Sequence, residues 1–367
     1  MKVYLVGGAV RDKLLGLPYK DKDWVVVGAT EEQMLSRGYT KITASFPVFL
    51  DPKTKEEYAL ARAEKKVSKG YHGFETSFSK YTTLEDDLKR RDLTINSMAI
   101  DTDNNIIDPF DGQQDIKDRV LRHTSEAFIE DPLRVIRLAR FKAQLSAFDF
   151  SIALETKELV KKLVRTDELS FLTKERLHIE FIKALTNPKI FFETLNELDV
   201  LTKVFPTIKK LLSLIPNSVF LDNYNYTSAN TNQKITLCFL KTPQDHIKLL
   251  KNELLLTNNQ FKLLTATINI KQILEKQLTA PEVFSLIKNA NLLRDKKLYK
   301  DSIDTYVKYK NITKSNQIEK NHKSLENIIS SISNLNLQNI IANTPKSNLK
   351  TTLDNLYIDI IKKEFKL

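Results

Sequence analysis

Asp21-Lys22-Asp23-Trp24-Val25-Val26-Val27 opens with two acids one residue apart and closes on four apolar residues of high strand propensity. Side chains on a strand alternate between faces, so residues two apart share a face. Asp21 and Asp23 therefore aim both carboxylates at one point, where they repel each other unless a cation lies between them. A hard divalent ion with oxygen ligands relieves that cost, and Mg²⁺ is the ion this reading selects. Strand-type runs at Val3–Val6, Glu57–Ala61 and Ser97–Ile100 accompany it, and residues 1–112 read as mixed α/β.

Upstream, Gly7-Gly8-Ala9-Val10-Arg11-Asp12 follows the first expected strand and opens a helix running to about Leu15. Such a junction turns free backbone N–H groups and the positive end of the helix outward, which suits phosphate, and Arg11 adds a donor of matching charge. The G-x-G-x-x-G spacing of a dinucleotide fingerprint is absent. Packing explains a lone Gly-Gly turn as well as a ligand does. Its weight here comes from Asp21 and Asp23, which arrive about ten residues later on the next strand. A phosphate cradle beside a two-carboxylate metal site is the layout of nucleotidyl transfer. Glu57, on the expected neighbouring strand, is the candidate third acid; beside Glu56 it also reads as a solvent-facing strand residue.

Two further stretches concentrate charge. Asp86-Asp87-Leu88-Lys89-Arg90-Arg91-Asp92-Leu93-Thr94-Ile95-Asn96 reads structurally as a solvated helix start capped by Asp92 or Thr94. Functionally, it sets Arg91 on a triphosphate or ribose, with Asp92 and Asn96 on the sugar hydroxyls. Glu130-Asp131-Pro132-Leu133-Arg134 combines an acidic N-cap with Pro at the first helical position. The helix that follows carries Arg134, Arg137 and Arg140, spaced near one side. An Asp and an Arg three residues apart on a helix can pair with a base edge. The carboxylate accepts from the exocyclic amino group of cytosine or adenine, and the guanidinium donates to the adjacent ring nitrogen. Uracil and guanine present the opposite pattern and would leave a buried charge unpaired. Asp108-Pro109-Phe110-Asp111-Gly112 and Asp115 read as a turn and hinge. The stretch 64–82, with Lys65, Lys66, Lys69, Gly70 and Gly73, reads as a basic loop, either a lid or a plain surface loop.

Composition bounds the rest. The chain has 367 residues, enough for two or three domains. No apolar run approaches the roughly 18 residues that cross a bilayer, and Met1–Val6 lacks the pattern of a signal peptide. Cys238 is the only cysteine, so no intrachain disulfide is possible, and a cytoplasmic protein is expected. His72, His123, His178, His246 and His322 are scattered, which argues against a histidine metal site. Residues 1–200 hold 32 Lys/Arg against 33 Asp/Glu, whereas 201–367 hold 25 against 13. That imbalance fits chemistry in the first half and a polyanion grip in the second. Drift toward Lys and Asn in an AT-rich genome fits it equally.

All eight glycines lie at or before Gly112, which marks a change of architecture. From about Asp115 the pattern is helical, with helices expected at 132–141, 151–165, 173–186, 189–202, 244–256, 259–276 and 281–290. Asp222 to Gln233 reads as a loop. The Asn-, Ser- and Lys-rich stretch 310–350 reads as loosely packed helix or as partly disordered chain.

Taken together, these motifs resemble the bacterial CCA-adding enzyme family, tRNA nucleotidyltransferases of the class that includes bacterial poly(A) polymerase. The resemblance covers about residues 1–210. It rests on Gly7 to Asp12, Asp21-Lys22-Asp23, Glu85 to Asn96 and Glu130 to Arg134. It implies an α+β fold: a nucleotidyltransferase head of mixed sheet and helices (1–125), a helical neck (126–210) and a helical body and tail (211–367). Within it, Asp21 and Asp23 would hold Mg²⁺, Gly8 and Arg11 would bind the incoming CTP or ATP, and Arg91, Arg137 and Arg140 would contact nucleotide. Asp131 and Arg134 would read the base without a template. The implied activity is addition of CCA to the 3′ end of tRNA with release of pyrophosphate. A poly(A) polymerase, an enzyme adding only CC or only A, and an inactive tRNA-binding chaperone remain open. The histidine-aspartate phosphohydrolase domain that some members carry after the neck is not recognisable here, so its activity is not carried over.

Overall fold

Alternation along the first strands builds a two-faced sheet. The structure is a computed structural model that describes residues 1–19, 21–43, 47–66, 74–77, 79–214, 228–310 and 316–366. The chain divides into two units, Met1–Lys209 and Lys210–Leu367.

The first unit is organised on a seven-stranded mixed sheet. Its strands are β1 (Lys2–Val6), β2 (Asp23–Val27), β3 (Thr40–Lys41), β4 (Val48–Leu50), β5 (Glu57–Leu60), β8 (Ala99–Ile100) and β9 (Ile106–Ile107), in the order β3-β4-β5-β2-β1-β8-β9. The strand β2 runs antiparallel to β1 and parallel to β5, with Asp23 in register with Val6 on one side and Glu57 on the other. One face buries Tyr4, Val6 and Val25 against Leu88 of α3 (Leu84–Lys89). The opposite face buries Val26, Phe49 and Leu60 against Met34 of α2 (Glu31–Ser36). The strands β1, β2 and β5 are thus apolar on both faces in their middles, and their polar residues fall at the ends, where the chain can present chemistry.

The short helix α1 (Gly8–Leu14) leaves β1 through Gly7, whose φ of 72° is open to glycine and strained for other residues. Two helices start on reciprocal caps, Thr30 with Gln33 and Thr83 with Asp86. The helix α4 (Gly112–Asp118) is capped by Asp108, whose two oxygens accept from the Gly112 and Gln113 N–H groups at 2.8 Å each. Beyond it, α5 (Leu133–Gln144) packs against α7 (Lys174–Lys183) and α8 (Pro188–Glu197), with α6 (Leu154–Val164) between them in sequence.

Several boundaries differ from those expected. The run Ser97–Ile100 yields only the two residues of β8, because Thr94–Asn96 closes into a 3-10 turn. The stretch 64–82 is no plain loop: β6 (Ala63–Lys66) and β7 (Phe74–Ser77) pair as an antiparallel hairpin, while residues 67–73 and 78 lie outside the described residues. The neck is not purely helical, since β10 (Val120–Leu121) pairs in parallel with β11 (Ser151–Ile152). The helix expected at 189–202 ends at Glu197 and resumes at Leu201. Asp199 takes φ 59° there, and the Val200 N–H donates back to the Leu195 carbonyl at 2.9 Å, the left-handed stop that glycine usually supplies. Part of the expected loop 222–233 is helical from Thr231, and residues 215–227 lie outside the described residues.

The second unit is helical throughout its described residues. Helices span Thr231–Cys238, Gln244–Glu253, Asn258–Glu275, Ala280–Asn289, Lys296–Lys310, Asn316–Ser333, Leu337–Ala342 and Leu349–Phe365. Ile270, Ile273, Val283, Ile287, Leu325, Ile328 and Ile361 form its core, so much of the stretch 310–350 folds as packed helix. No helix among the described residues is long and apolar enough to cross a membrane.

Gly112 is the tightest point in the first unit. A Cβ there would lie 2.4 Å from the Thr94 carbonyl and 3.0 Å from Met98. Gly112→Ala is expected to lower stability by about 2–3 kcal/mol, read as a shift in urea midpoint. Gly16→Ala serves as the contrast: its φ is 69° but nothing lies within 4 Å, so only backbone strain of about 1 kcal/mol is expected. Equal costs at the two sites would remove the packing argument.

Candidate functional site

Strand register gathers residues distant in sequence at one end of the sheet. Val6, Asp23 and Glu57 are neighbours across β1, β2 and β5, and Gly7 and Gly8 follow Val6 directly. The back of this edge is fixed by aromatic and ionic contacts. The Trp24 and Tyr58 rings stack at 5.6 Å, the Trp24 Nε1 donates to Glu56 at 2.7 Å, and Lys22 pairs with Glu56 at 3.1 Å. Lys22, Trp24, Glu56 and Tyr58 therefore share one face. Asp23 and Glu57 must share the other, on the side of Val25 and Val6. Both are exposed, and among the described residues neither has an ion-pair partner. Asp21 differs from expectation in one respect: β2 begins at Asp23, so Asp21 lies in the exposed segment before the strand, and alternation alone does not fix its direction. Among the described residues no group of three or more His, Cys, Asp or Glu is gathered tightly enough to cage a metal without further ligands.

Arg91 is set over the Gly-Gly turn. Its Nε and Nη2 donate to Asp87 at 3.3 and 3.1 Å, and its Nη1 lies 2.8 Å from where a Gly7 Cβ would sit. Gly7 thus serves both the turn and the close approach of a guanidinium. Asp87 is fully buried and also accepts from Arg90 at 2.6 Å. Burial would raise its pKa, but Arg91 and Arg90 outweigh burial and hold it below the usual carboxylate range.

A chain of polar contacts then crosses from the sheet region to α5. Arg11 donates to the Asn96 side-chain oxygen at 2.8 Å, Asn96 donates to Asp92 at 3.0 Å, and Arg137 Nε donates to the other Asp92 oxygen at 2.6 Å. Arg11 also pairs with Asp12 at 2.7 Å. Burial would raise the Asp92 pKa, but Arg137, the Asn96 and Arg137 hydrogen bonds and Arg140 together drive it well below the ordinary range. Asp92 in turn raises the Arg137 pKa. Arg137 uses only Nε in this contact, and its side chain keeps 35% of its surface exposed. Its terminal nitrogens have no partner among the described residues. Arg140 is buried and pairs with Glu180 at 2.5 Å.

Asp131 and Arg134 sit at the start of α5, with different first partners. Asp131 accepts from the Leu133 N–H at 3.0 Å and from Arg176 of α7 at 3.2 and 3.0 Å. Arg134 Nη1 donates to the Ala127 carbonyl at 2.6 Å. Helix α5 starts one residue later than the sequence suggests, with Pro132 as its cap residue.

Four residues that hold this arrangement were missed by the sequence reading: Asp87, Phe141, Arg176 and Glu180. Asp87 was hidden in a run of acids that reads as a solvated helix start. Arg176 and Glu180 are four apart on α7, a spacing that shows a shared face but not what that face meets. Phe141 reads as ordinary core.

Comparison with known proteins adds a family context. Residues 3–122 match the poly A polymerase head domain, and residues 149–212 match the family described as "Probable RNA and SrmB- binding site of polymerase A". The chain is 60% identical over 369 residues to the CCA-adding enzyme of Francisella tularensis subsp. novicida strain U112, covering all of both chains. Among solved structures, it is similar to the Bacillus stearothermophilus CCA-adding enzyme in complex with CTP, with a TM-score of 0.69, 22% identity, and coverage of 99% of this chain and 89% of that one. It is also similar to the Thermotoga maritima CCA-adding enzyme complexed with tRNA, with a TM-score of 0.60, 23% identity, and coverage of 100% and 91%. At these identities the two structures speak to fold alone.

The Asp92 pair makes a pH-dependent contribution of known sign. A carboxylate whose folded pKa is depressed stabilises fully above its unfolded value and loses that contribution as pH falls toward the folded one. Asp92→Asn is expected to cost about 2 kcal/mol at pH 7, below the usual figure for a broken buried pair because Arg137 is partly exposed. The gap from wild type should stay level from pH 8 to about 5. It should close by about 1.4 kcal/mol per pH unit below roughly pH 3.9. Urea titrations across that range measure it, and a gap that closes near pH 6 would remove the assignment.

Proposed function

This chain belongs to the CCA-adding enzyme family, and we propose that it transfers CMP, CMP and then AMP from CTP and ATP to the 3′ end of tRNA, releasing pyrophosphate. The observation that carries this reading is the convergence of Gly7-Gly8, Asp23 and Glu57 at one end of the sheet, with the Arg91 guanidinium over the turn. Backbone N–H groups at the turn, Arg11 and Arg91 suit a triphosphate, and unpaired acids beside them suit a divalent cation.

Nucleotidyltransferases of this family generally use a divalent metal. The donor set here fits Mg²⁺: hard carboxylate oxygens from Asp23, Asp21 and Glu57, none of which has an ion-pair partner among the described residues. Mg²⁺ takes one or two carboxylates and completes its shell with water and substrate phosphates, so a loose set of acids meets its needs. When bound, it would supply a lowered pKa for the attacking 3′-hydroxyl and neutralisation of the leaving pyrophosphate. The protein's own part is positioning. Arg91 and Arg11 hold the phosphates, the free end of Arg137 meets the nucleotide, and Asp92 and Asn96, together with Arg140, fix the sugar end.

Base choice falls to Asp131 and Arg134. An ionised carboxylate offers about four lone-pair sites, of which the Leu133 N–H and Arg176 take three. One remains for the exocyclic amino group of cytosine or adenine. Arg134 donates through Nη1 to the Ala127 carbonyl, which anchors it at the start of the same helix. In this scheme the head (1–125) carries the acids, the neck (126–210) reads the base, and the basic remainder (211–367) grips tRNA by its phosphates. A poly(A) polymerase or a CC- or A-adding enzyme would use the same site. Sequencing the 3′ ends made on tRNA lacking CCA, with all four nucleotides present, separates these products.

Asp23→Ala and Glu57→Ala should each lower incorporation of labelled CMP by about 1,000-fold, with tRNA binding unchanged by gel shift. Near-normal turnover in Asp23→Ala would discard the metal assignment. Arg134→Ala should cut the preference for CTP and ATP over UTP and GTP by about 100-fold. Retained selectivity in that variant would show that the base is read elsewhere.

A further inference from the structure

One aromatic ring in α5 lies against three of the arginines just described. The guanidinium carbons of Arg140, Arg11 and Arg137 lie 4.0, 5.2 and 5.5 Å from the centroid of the Phe141 ring. The side chain is 5% exposed, so these contacts are largely shielded from water. A guanidinium within about 6 Å of an aromatic face is attracted by the ring quadrupole, and more strongly where water is excluded. The three cations come from different places. Arg11 belongs to α1 beside the Gly-Gly turn, whereas Arg137 and Arg140 belong to α5.

The ring also closes a circuit. From Arg11 the hydrogen bonds run through Asn96 and Asp92 to Arg137, and both end residues return to the same ring. A linear chain of three hydrogen bonds leaves its ends free to swing. A closed one fixes the separation of Arg11 from Arg137. Each guanidinium is also balanced by its own carboxylate: Asp12 for Arg11, Asp92 for Arg137 and Glu180 for Arg140. Charge neutrality is therefore already met without Phe141. What the ring adds is a common surface that keeps three like charges at set positions. A leucine there would fill space without attracting them.

We propose that Phe141 is a positioning residue for nucleotide binding, holding the Arg11 and Arg137 guanidiniums at a fixed spacing through its π face rather than through its bulk. The inference rests on the nucleotide-binding reading above and deepens it. Because Arg11 is assigned to the phosphates and Arg137 is held by Asp92, which is assigned to the sugar end, and CTP and ATP share both parts, the ring serves both nucleotides alike.

The test uses full-length protein with phenylalanine, 4-fluoro-, 3,5-difluoro- and 3,4,5-trifluorophenylalanine at position 141. These rings keep nearly the same shape while the quadrupole weakens stepwise. Steady-state incorporation into tRNA lacking CCA gives KM and kcat for CTP and for ATP, and CTP titration gives Kd. KM and Kd should climb with each fluorine, to about 10-fold for the trifluoro ring, with kcat within about 2-fold and every variant fully folded at the assay temperature. Phe141→Leu should raise KM at least as far. If Leu prevents folding, the fluorinated series still decides. A flat series in an active enzyme would overturn the proposal, as would a fall in kcat at constant KM or a rise confined to one nucleotide. Wild-type protein that incorporates neither nucleotide would overturn the parent reading instead, so the two failures are distinguishable.

Discussion

Strand register at the β1–β2–β5 edge is the constraint on which the site depends. Slipping β5 by one residue against β2 would bring Glu56 to the front and send Glu57 to the back, because side chains alternate with a period of two. The back face prevents that slip. Glu56 accepts from the Trp24 indole at 2.7 Å and pairs with Lys22, while the Trp24 and Tyr58 rings stack. These contacts are not chemistry in themselves. They make one alignment of two strands better than its neighbours, and that alignment leaves Asp23 and Glu57 on the front without ion-pair partners among the described residues. The acid that is used up on one face is what frees the acid on the other.

A second constraint is electrostatic. Around the site, six guanidiniums have a carboxylate: Arg11 with Asp12, Arg90 and Arg91 with Asp87, Arg137 with Asp92, Arg140 with Glu180 and Arg176 with Asp131. Buried pairs of this kind add little net stability, since desolvation offsets much of their attraction. Their effect is placement. An arginine held at Nε by a fixed carboxylate still has terminal N–H groups in a known direction, and Arg137 presents them to an open side. Donors arranged before a ligand arrives need no reorganisation when it binds. The interactions that cost most to build in the fold are the ones that prepare it for a polyanionic substrate.

What the sequence revealed follows the range of the interactions involved. The Gly7-Gly8 turn, the strand of Trp24 to Val27 and the helix containing Arg134 to Arg140 are set by local chemistry, and all three lie where pattern reading puts them. Glu57 could be named as a candidate, but its choice over Glu56 depends on pairing between strands more than thirty residues apart in sequence, which periodicity cannot supply. Asp86 and Asp87 are adjacent acids with opposite fates. The first accepts from the N–H and hydroxyl of the cap residue Thr83 at the surface, and the second is sealed under two arginines. Only the fold distinguishes them. In the second unit, helix positions could be read from leucine spacing. The long helices at 296–310 and 349–365 were missed because lysines, tyrosines and other polar residues blur their apolar faces.

The choice of cation separates the two parts of the chain in the same physical terms. Arg294 is the only arginine after Arg176, and apart from three histidines every other basic residue in that stretch is lysine. Arginine offers a planar fork that can engage a carboxylate and still direct donors at a ligand, so it suits a site where angles matter. Lysine is a compact charge on a flexible stem, adequate where the partner is a run of phosphates and register along it is loose. Compositional drift toward lysine would act on the whole chain. It has left arginine in the first part at the positions where Asp87, Asp92, Asp131 and Glu180 hold a guanidinium fork. The first part therefore keeps arginine where paired carboxylates fix its direction, and the chain after it carries its positive charge on lysine.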